Sequence, residues 1–269
     1  MVIQHNIAAN NAYRNLSSNA SNGQKNLEKL SSGYRINRSA DDAAGLAISE
    51  QMRSKINGLD QATSNASDAI GLIQTAEGAL TETHSMLQRM VTLATQSANG
   101  TYNSTARGAI GEEVTALKAE IDRIATTTDY NGVKPIASTS AITVQIGPTS
   151  GETLSISAAK MDSGSLGLSQ IAVNSVSAAN GAITKINDAI NTVSTHRAKL
   201  GASQNRLEHT INNLKTTNEN MTAAESRIRD TDMAKEMAAF TKNNILNQAA
   251  QSMLSQANQQ PQGVLSLLR

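Results

Sequence analysis

The chain has 269 residues, with 23 Lys and Arg against 22 Asp and Glu, no cysteine, no tryptophan and one phenylalanine. Near-neutral charge speaks against nucleic acid as a main partner, and the missing cysteines exclude a disulfide framework and thiolate metal sites. Few aromatic rings, the side chains that bury most area, argue against a thick isolated globule and for long helices with narrow apolar seams.

The opening "MVIQHNIAANNAYRNL" has no basic cluster followed by an apolar core, so no cleaved signal is expected. No run approaches the roughly 18 apolar residues of a membrane span. Residues 1–33 are rich in Asn, Ser and Ala, with sparse anchors at Ile3, Ile7, Leu16, Leu27 and Leu30. A segment this polar offsets its ordering entropy poorly, at about 1–2 kcal/mol per residue for the backbone. It is expected to lack fixed shape in a lone chain and to fold against the other end or against neighbouring copies. Gly33 then punctuates the chain. Ser39, Asp41 and Asp42 precede an Ala-rich helix start, where caps and acids are favourable. Arg35 and Arg38 are expected to pair with those aspartates or with a neighbouring subunit.

From Ile48 a path of four- and three-residue steps runs through Met52, Ile56, Leu59, Thr63, Ala66, Ile70, Ile73, Glu77, Leu80, His84, Leu87 and Val91 to Ala94. It predicts a helix over 44–98, roughly 80 Å long at 1.5 Å per residue. Leu93 falls off this path, beside Arg89 and Gln96, on the face expected to meet water. After the turn "ANGTYNS", Ile110, Val114, Leu117, Ile121 and Ile124 mark a shorter helix folding back over 104–128. "TVQIG" and "TLSIS" alternate around "PTSG" and predict a β-hairpin, flanked by the loops "IASTSA" and "DSGSLGL". A second long seam runs through Ile183, Ile186, Ile190, Val193, Arg197, Leu200, Gln204, Leu207, Ile211, Leu214, Asn218, Met221, Glu225 and Ile228. Two long matched stripes are expected to pair. The C-terminal segment carries Met233, Met237, Phe240, Ile245, Leu246, Met253 and Leu254, then "GVLSLLR" with Leu265, Leu267 and Leu268.

The fold class expected is mainly α: a long antiparallel helical bundle or coiled coil with a small β-hairpin region. The parts are 1–43, an inner helix and linker; 44–179, the first part of a rod with the hairpin; 180–230, the returning rod helix; and 231–269, a second inner helix. No catalytic, cofactor or metal residues are expected. Asp41 and Asp42 read as helix caps. His84, Glu77 and Thr63 read as polar seam positions that fix register, without HExxH or paired-His spacing. His5, His196 and His209 are scattered and expected to be solvated. No P-loop, GxSxG or GxGxxG stands in a strand-turn-helix setting. The Met-rich end reads as interface rather than a cofactor site.

Three blocks, "KLSSGYRINRSADDAAGLAISEQMRSKINGLDQA", "IQTAEGALTETHSMLQRM" and the closing "ESRIRDTDMAKEMAAFTKNNILNQAAQSMLSQANQQPQGVLSLLR", resemble bacterial flagellin. The likeness covers about 1–135 and 180–269, and the middle looks like a short form without large variable outer domains. The resemblance implies a subunit that polymerises into a hollow extracellular filament used as a propeller. It implies type III export without a cleaved signal, and hook-associated and cap proteins as partners. It also implies an export chaperone holding about 230–269, where Met237, Phe240, Ile245, Leu246, Met253 and Leu254 would fill a groove. Ile3, Ile7, Leu16, Leu27, Leu30, Leu265, Leu267 and Leu268 would join them in subunit assembly. For flagellins seen by Toll-like receptor 5, the family pattern is an Arg, a Leu four residues on and a Glu on the next helix. Here these are Arg89, Leu93 and Glu113, with Gln88 and Gln96 beside them, and Thr92 where an acid is common. The same face is expected to dock on the next subunit. The plainer reading of Leu93 is packing against the helix at 104–128. A hook–filament junction protein is the alternative; an enzyme is disfavoured. Middle-region Ser and Thr residues are open to O-linked sugars.

Overall fold

The computed structural model describes residues 6–267, with side chains described through residue 260. Five helices and one hairpin follow in order: α1 (Ile7–Ser32), α2 (Ala43–Ser97), α3 (Ser104–Thr127), β1 (Ile142–Gln145), β2 (Thr153–Ile156), α4 (Val176–Arg229) and α5 (Met233–Leu267). The chain divides into two compact units, Met1–Ile56 with Glu219–Arg269, and Asn57–Asn218. The divisions fall inside α2 and α4 rather than at their ends.

Asp42 starts α2 as an N-cap: its Oδ1 accepts from the Gly45 amide at 2.9 Å. Asp41 closes the turn before it, accepting from the amides of Arg38 and Asn37. Those two hydrogen bonds, Arg38's first, hold the Asp41 carboxyl below the usual range. Asn103 caps α3 by accepting from the Ala106 amide at 2.8 Å. Gly33 ends α1 at φ 76°, its N–H donating to the Lys29 carbonyl at 2.9 Å. That left-handed position favours glycine.

In the 57–218 unit, one buried cluster draws on α2, α3, the hairpin, the segment around Leu166–Val173 and α4. Alternate members of the expected α2 path, Leu59, Ala66, Ile73, Leu80, Leu87 and Ala94, are fully buried. Thr63, Ile70, Glu77, His84 and Val91 are only half-buried, and the residue before each, from Ala62 to Met90, is buried instead. Leu72 and Leu93 widen the stripe further. The same offset holds in the first half of α4, where Ala182, Ala189 and His196 lie deeper than Ile183, Ile190 and Arg197. A two-helix seam is too narrow a template here. Several elements contribute to one core, so the apolar stripe is broader than a and d positions alone.

Two expected polar seam positions meet: Arg197 reaches Glu77 Oε1 at 3.4 Å. Farther along, Asn218 donates to Asp60 at 2.7 Å. The hairpin is antiparallel, with Ile142 opposite Ile156 and Gln145 opposite Thr153. At Gly58 the side chain is missing for a reason: a Cβ there would stand 2.7 Å from Pro148 Cβ in the hairpin turn.

In the other unit α1 and α5 lie against each other, Asn6 donating to the Ala257 carbonyl at 2.8 Å. The ends expected to lack fixed shape in a lone chain thus form a helix pair. Its contents are unusual. The half-buried or buried positions of α1 include Ala9, Ala12, Leu16, Asn19, Gly23, Asn26 and Leu30, and those of α5 include Phe240, Asn243, Asn247, Ala250 and Leu254. Small and amide side chains share the seam with Leu16, Leu30, Phe240 and Leu254, and the other large apolar residues are left outside.

Candidate functional site

Of the anchors expected to assemble copies, Leu16, Leu30, Phe240 and Leu254 lie half-buried in the α1–α5 seam. The rest point out: Ile7 is 71% exposed and Ile245 61%, and Leu27, Met237, Leu246 and Met253 are exposed as well. Tyr13 and Met233 are likewise exposed. Ile3 and Leu268, and the side chains of Leu265 and Leu267, lie outside the described residues. Inside the seam, with its amide turned to suit its neighbours, Asn26 donates to Glu236 Oε1 and accepts from Asn243 Nδ2, both at 3.0 Å. The Asn247 carbonyl oxygen is buried without a partner. Amide hydrogen bonds fix the pairing geometry but contribute little net stability, about 0.5–1.5 kcal/mol each. The apolar area that would stabilise the pair is still facing out.

The second group of predicted residues sits at the end of α2 and the start of α3. Arg89 pairs with Glu113 at 2.8 Å, and both are exposed. Gln88 meets the His84 ring at 3.0 Å, and Gln96 donates to the Tyr102 hydroxyl at 2.9 Å. These four form an exposed polar ridge. Leu93 does not belong to it. It is 1% exposed and lies in the core cluster with Met90, Ile110 and Val114. The expectation of an exposed leucine beside Arg89 is corrected: α3 covers that side of α2, and the packing reading holds. The backbone end of α2 is tied by Arg107, which donates to the Ser97 and Asn99 carbonyls at 3.0 Å each.

Two further expectations change. His196, expected to be solvated, is 5% exposed on α4, and its Nε2 has no partner. Burial, then the nearby Lys199 charge, pushes its pKa down. The arginines of the linker do not pair with the aspartates. Arg38 reaches Glu28 at 2.8 Å, and Arg35 donates to the Ile228 carbonyl at 2.6 Å.

The sequence reading missed a junction built around Tyr34. Two guanidinium groups lie over the ring, Arg229 at 4.8 Å and Arg53 at 5.7 Å from its centroid. Arg53 also bonds the Tyr34 hydroxyl at 3.2 Å and pairs with Glu225 at 3.0 Å. Arg229 pairs with Glu50 at 2.5 Å. The backbones join too, Arg35 N donating to Arg229 O and Thr231 N to Gly33 O. The segments entering α2 and leaving α4 are therefore held together by charge, cation–π and backbone contacts. A lone aromatic after a glycine gives no sequence signal for this, because its partners are far along the chain.

Among the described residues, no group of three or more His, Asp and Glu side chains is placed to hold a metal, and no helix is long and apolar enough to cross a membrane.

Comparison with known proteins follows this geometry closely. A model of the bacterial flagellin N-terminal helical region matches residues 3–141, and one of the bacterial flagellin C-terminal helical region matches residues 183–268. A flagellin of Halalkalibacterium halodurans is 53% identical over 272 residues, covering all of both chains. A flagellin of Bacillus subtilis is 52% identical over 304 residues, again covering both chains fully. A crystal structure of Bacillus cereus flagellin is 35% identical, with a TM-score of 0.52 over 60% of this chain and 94% of that one. A putative flagellar hook-associated protein from Vibrio parahaemolyticus aligns at TM-score 0.60, over 71% of this chain and 100% of that one, but at 12% identity the likeness is one of fold alone.

Proposed function

The chain belongs to the bacterial flagellin family and is a filament subunit, not an enzyme; from that premise we propose which of its surfaces build the filament and which meet other partners. Full-length identity to flagellins favours this over the hook–filament junction alternative.

The observation that carries the assembly reading is the inverted α1–α5 pair, amides within and Ile7, Leu27, Met237, Ile245 and Met253 without. An apolar surface of this kind on a solvent-exposed helix pair calls for partners. Copies of the same chain supply them in a homopolymer. Each copy contributes its terminal pair to the contacts between subunits. Many moderate contacts repeated by helical symmetry then stabilise the polymer. Deleting residues 232–269 removes the α5 share of the exposed apolar residues. The truncated protein is expected to stay soluble and folded in its 57–218 unit without polymerising. Normal filaments from that variant would overturn the reading.

Before assembly the exposed anchors of α5 suit an export chaperone. Met237, Ile245, Leu246 and Met253 would line its groove as helical anchors, during type III export to the extracellular filament, where hook-associated and cap proteins bound the polymer. For Toll-like receptor 5, the surface offered is the polar ridge of Gln88, Arg89, Gln96 and Glu113, with Leu93 behind it as packing. Charge pairs at such a surface act through geometry and desolvation. Arg89→Ala with Glu113→Ala is expected to weaken receptor signalling while leaving the thermal melt nearly unchanged; full signalling by the double variant would remove the receptor from this face.

A further inference from the structure

The charges of the 57–218 unit are segregated between its two long helices. On α2, Asp60, Asp68, Glu77 and Glu82 stand against the single Arg89; on α4, Lys185, Arg197, Lys199, Arg206 and Lys215 stand against Asp188 and Glu208. Glu77–Arg197 is the ion pair between the two sets among the described residues. Asp68 and Glu82 share one exposed row, fourteen residues apart; Lys185 and Lys199 share another at the same separation, continued by Arg206 seven residues on. Fourteen residues of helix span about 21 Å, so both ends of the two rows match in one docking. All five side chains are exposed, and none makes an ion pair with a described residue of its own chain.

Beside the basic row lies a cleft of about 330 Å³, lined by Met161, Asn191, Thr192, Thr195, His196 and Lys199. It gathers the Lys199 ammonium, the Thr195 hydroxyl and the Asn191 amide around a histidine whose Nε2 has no partner, while the Thr192 hydroxyl donates to the Asp188 carbonyl at 2.9 Å. That donor set suits a carboxylate.

We propose that the basic row of α4, with its His196–Lys199 cleft, docks the Asp68–Glu82 row on α2 of a second copy. The inference rests on the filament reading and names one of its side contacts. The two rows are different surfaces of one unit, so the contact is heterologous. Such a contact leaves each copy with a free acidic and a free basic row and propagates instead of closing at two. A partner of another kind would need only one of the rows; a second copy uses both.

The test is seeded polymerisation of the full chain, read as the monomer concentration left in the supernatant. Replacing Lys185, Lys199 and Arg206 by Glu is expected to raise that concentration about tenfold or more at 0.05 M salt. The increase should shrink at 0.5 M, where screening is stronger. Replacing Asp68 and Glu82 by Lys should act alike. The variant carrying all five changes, which exchanges the rows, should polymerise close to the parent level. Thermal melts of the 57–218 unit, unchanged across the set, keep misfolding out of the comparison. Parent-like polymerisation by the three-site variant, or no recovery in the five-site variant with its melt intact, would overturn the contact. A parent chain that forms no filament would overturn the filament reading itself, and this proposal with it.

Discussion

Leu93 and Arg89 are four residues apart on α2 and do different work. Leu93 is fully buried, so Leu93→Ala removes packing and is expected to cost about 2–5 kcal/mol of unfolding free energy. Arg89 shares an exposed ion pair whose Coulomb energy is largely screened, so Arg89→Ala should cost under about 1 kcal/mol. Denaturant melts of the two variants separate the roles; equal losses would place Leu93 outside the core. His196 gives a pH signature. Its folded pKa lies below the unfolded value of about 6.5. The unfolded chain therefore takes up more protons on acidification, and the native state loses stability as pH falls from about 6.5 through the lower folded value. Above the unfolded pKa the contribution is fully present. The slope between pH 7 and pH 5 should flatten in His196→Gln, measured by chemical denaturation; an unchanged slope would mean His196 is not the group responsible. Burial of single residues such as these was hard to read from the chain, because a seam pattern assumes one partner helix and these positions have several.

Periodicity located the elements well. The long helix expected over 44–98 is α2 at Ala43–Ser97, the helix over 104–128 is α3, and the strands around "PTSG" are β1 and β2. Periods of 3.6 and 2 are local properties of the chain, which is why they survive without knowledge of neighbours. What failed was the choice of the deeper flank. Ala62, Ala69 and Ala76 are small and drew less notice than Thr63, Ile70 and Glu77, yet closeness of approach favours the small residues inside. The linker arginines miss their neighbouring aspartates for the same cause: Arg35 finds its acceptor at Ile228, nearly two hundred residues away. Glu77 and Arg197, by contrast, were legible as polar interruptions of two seams and do meet. A half-exposed pair of this kind contributes specificity more than stability. Glu77→Leu combined with Arg197→Leu is expected to melt at or above the parent temperature, and a drop of several degrees would show that the pair stabilises the fold.

At the scale of the molecule, the two units are built on opposite rules. The 57–218 unit closes an apolar core over itself, with Ile73, Leu80, Leu87, Ile186, Val193 and Leu200 all buried. The α1–α5 pair buries amides beside a few half-buried anchors and exposes most of its large aliphatic side chains. The sparse anchors of the two ends were legible as such in the sequence, and the outward direction of most of them was not, because the seam between α1 and α5 is made largely from Asn, Ala and Gly positions that carry no hydrophobic signal. A pair so constructed has little apolar burial to set against the entropy of ordering some sixty residues at about 1–2 kcal/mol each. Its helices should open readily in a lone copy and become firm when neighbours cover Ile7, Leu27, Ile245 and Met253. Amide hydrogen exchange, followed by mass spectrometry on the same protein as dilute monomer and as filament, reads this directly. The account predicts that α1 and α5 exchange within seconds in the monomer and are strongly protected in the filament, while α2 between Leu59 and Ala94 is slow in both. Terminal helices already as protected in the monomer as in the filament would contradict it.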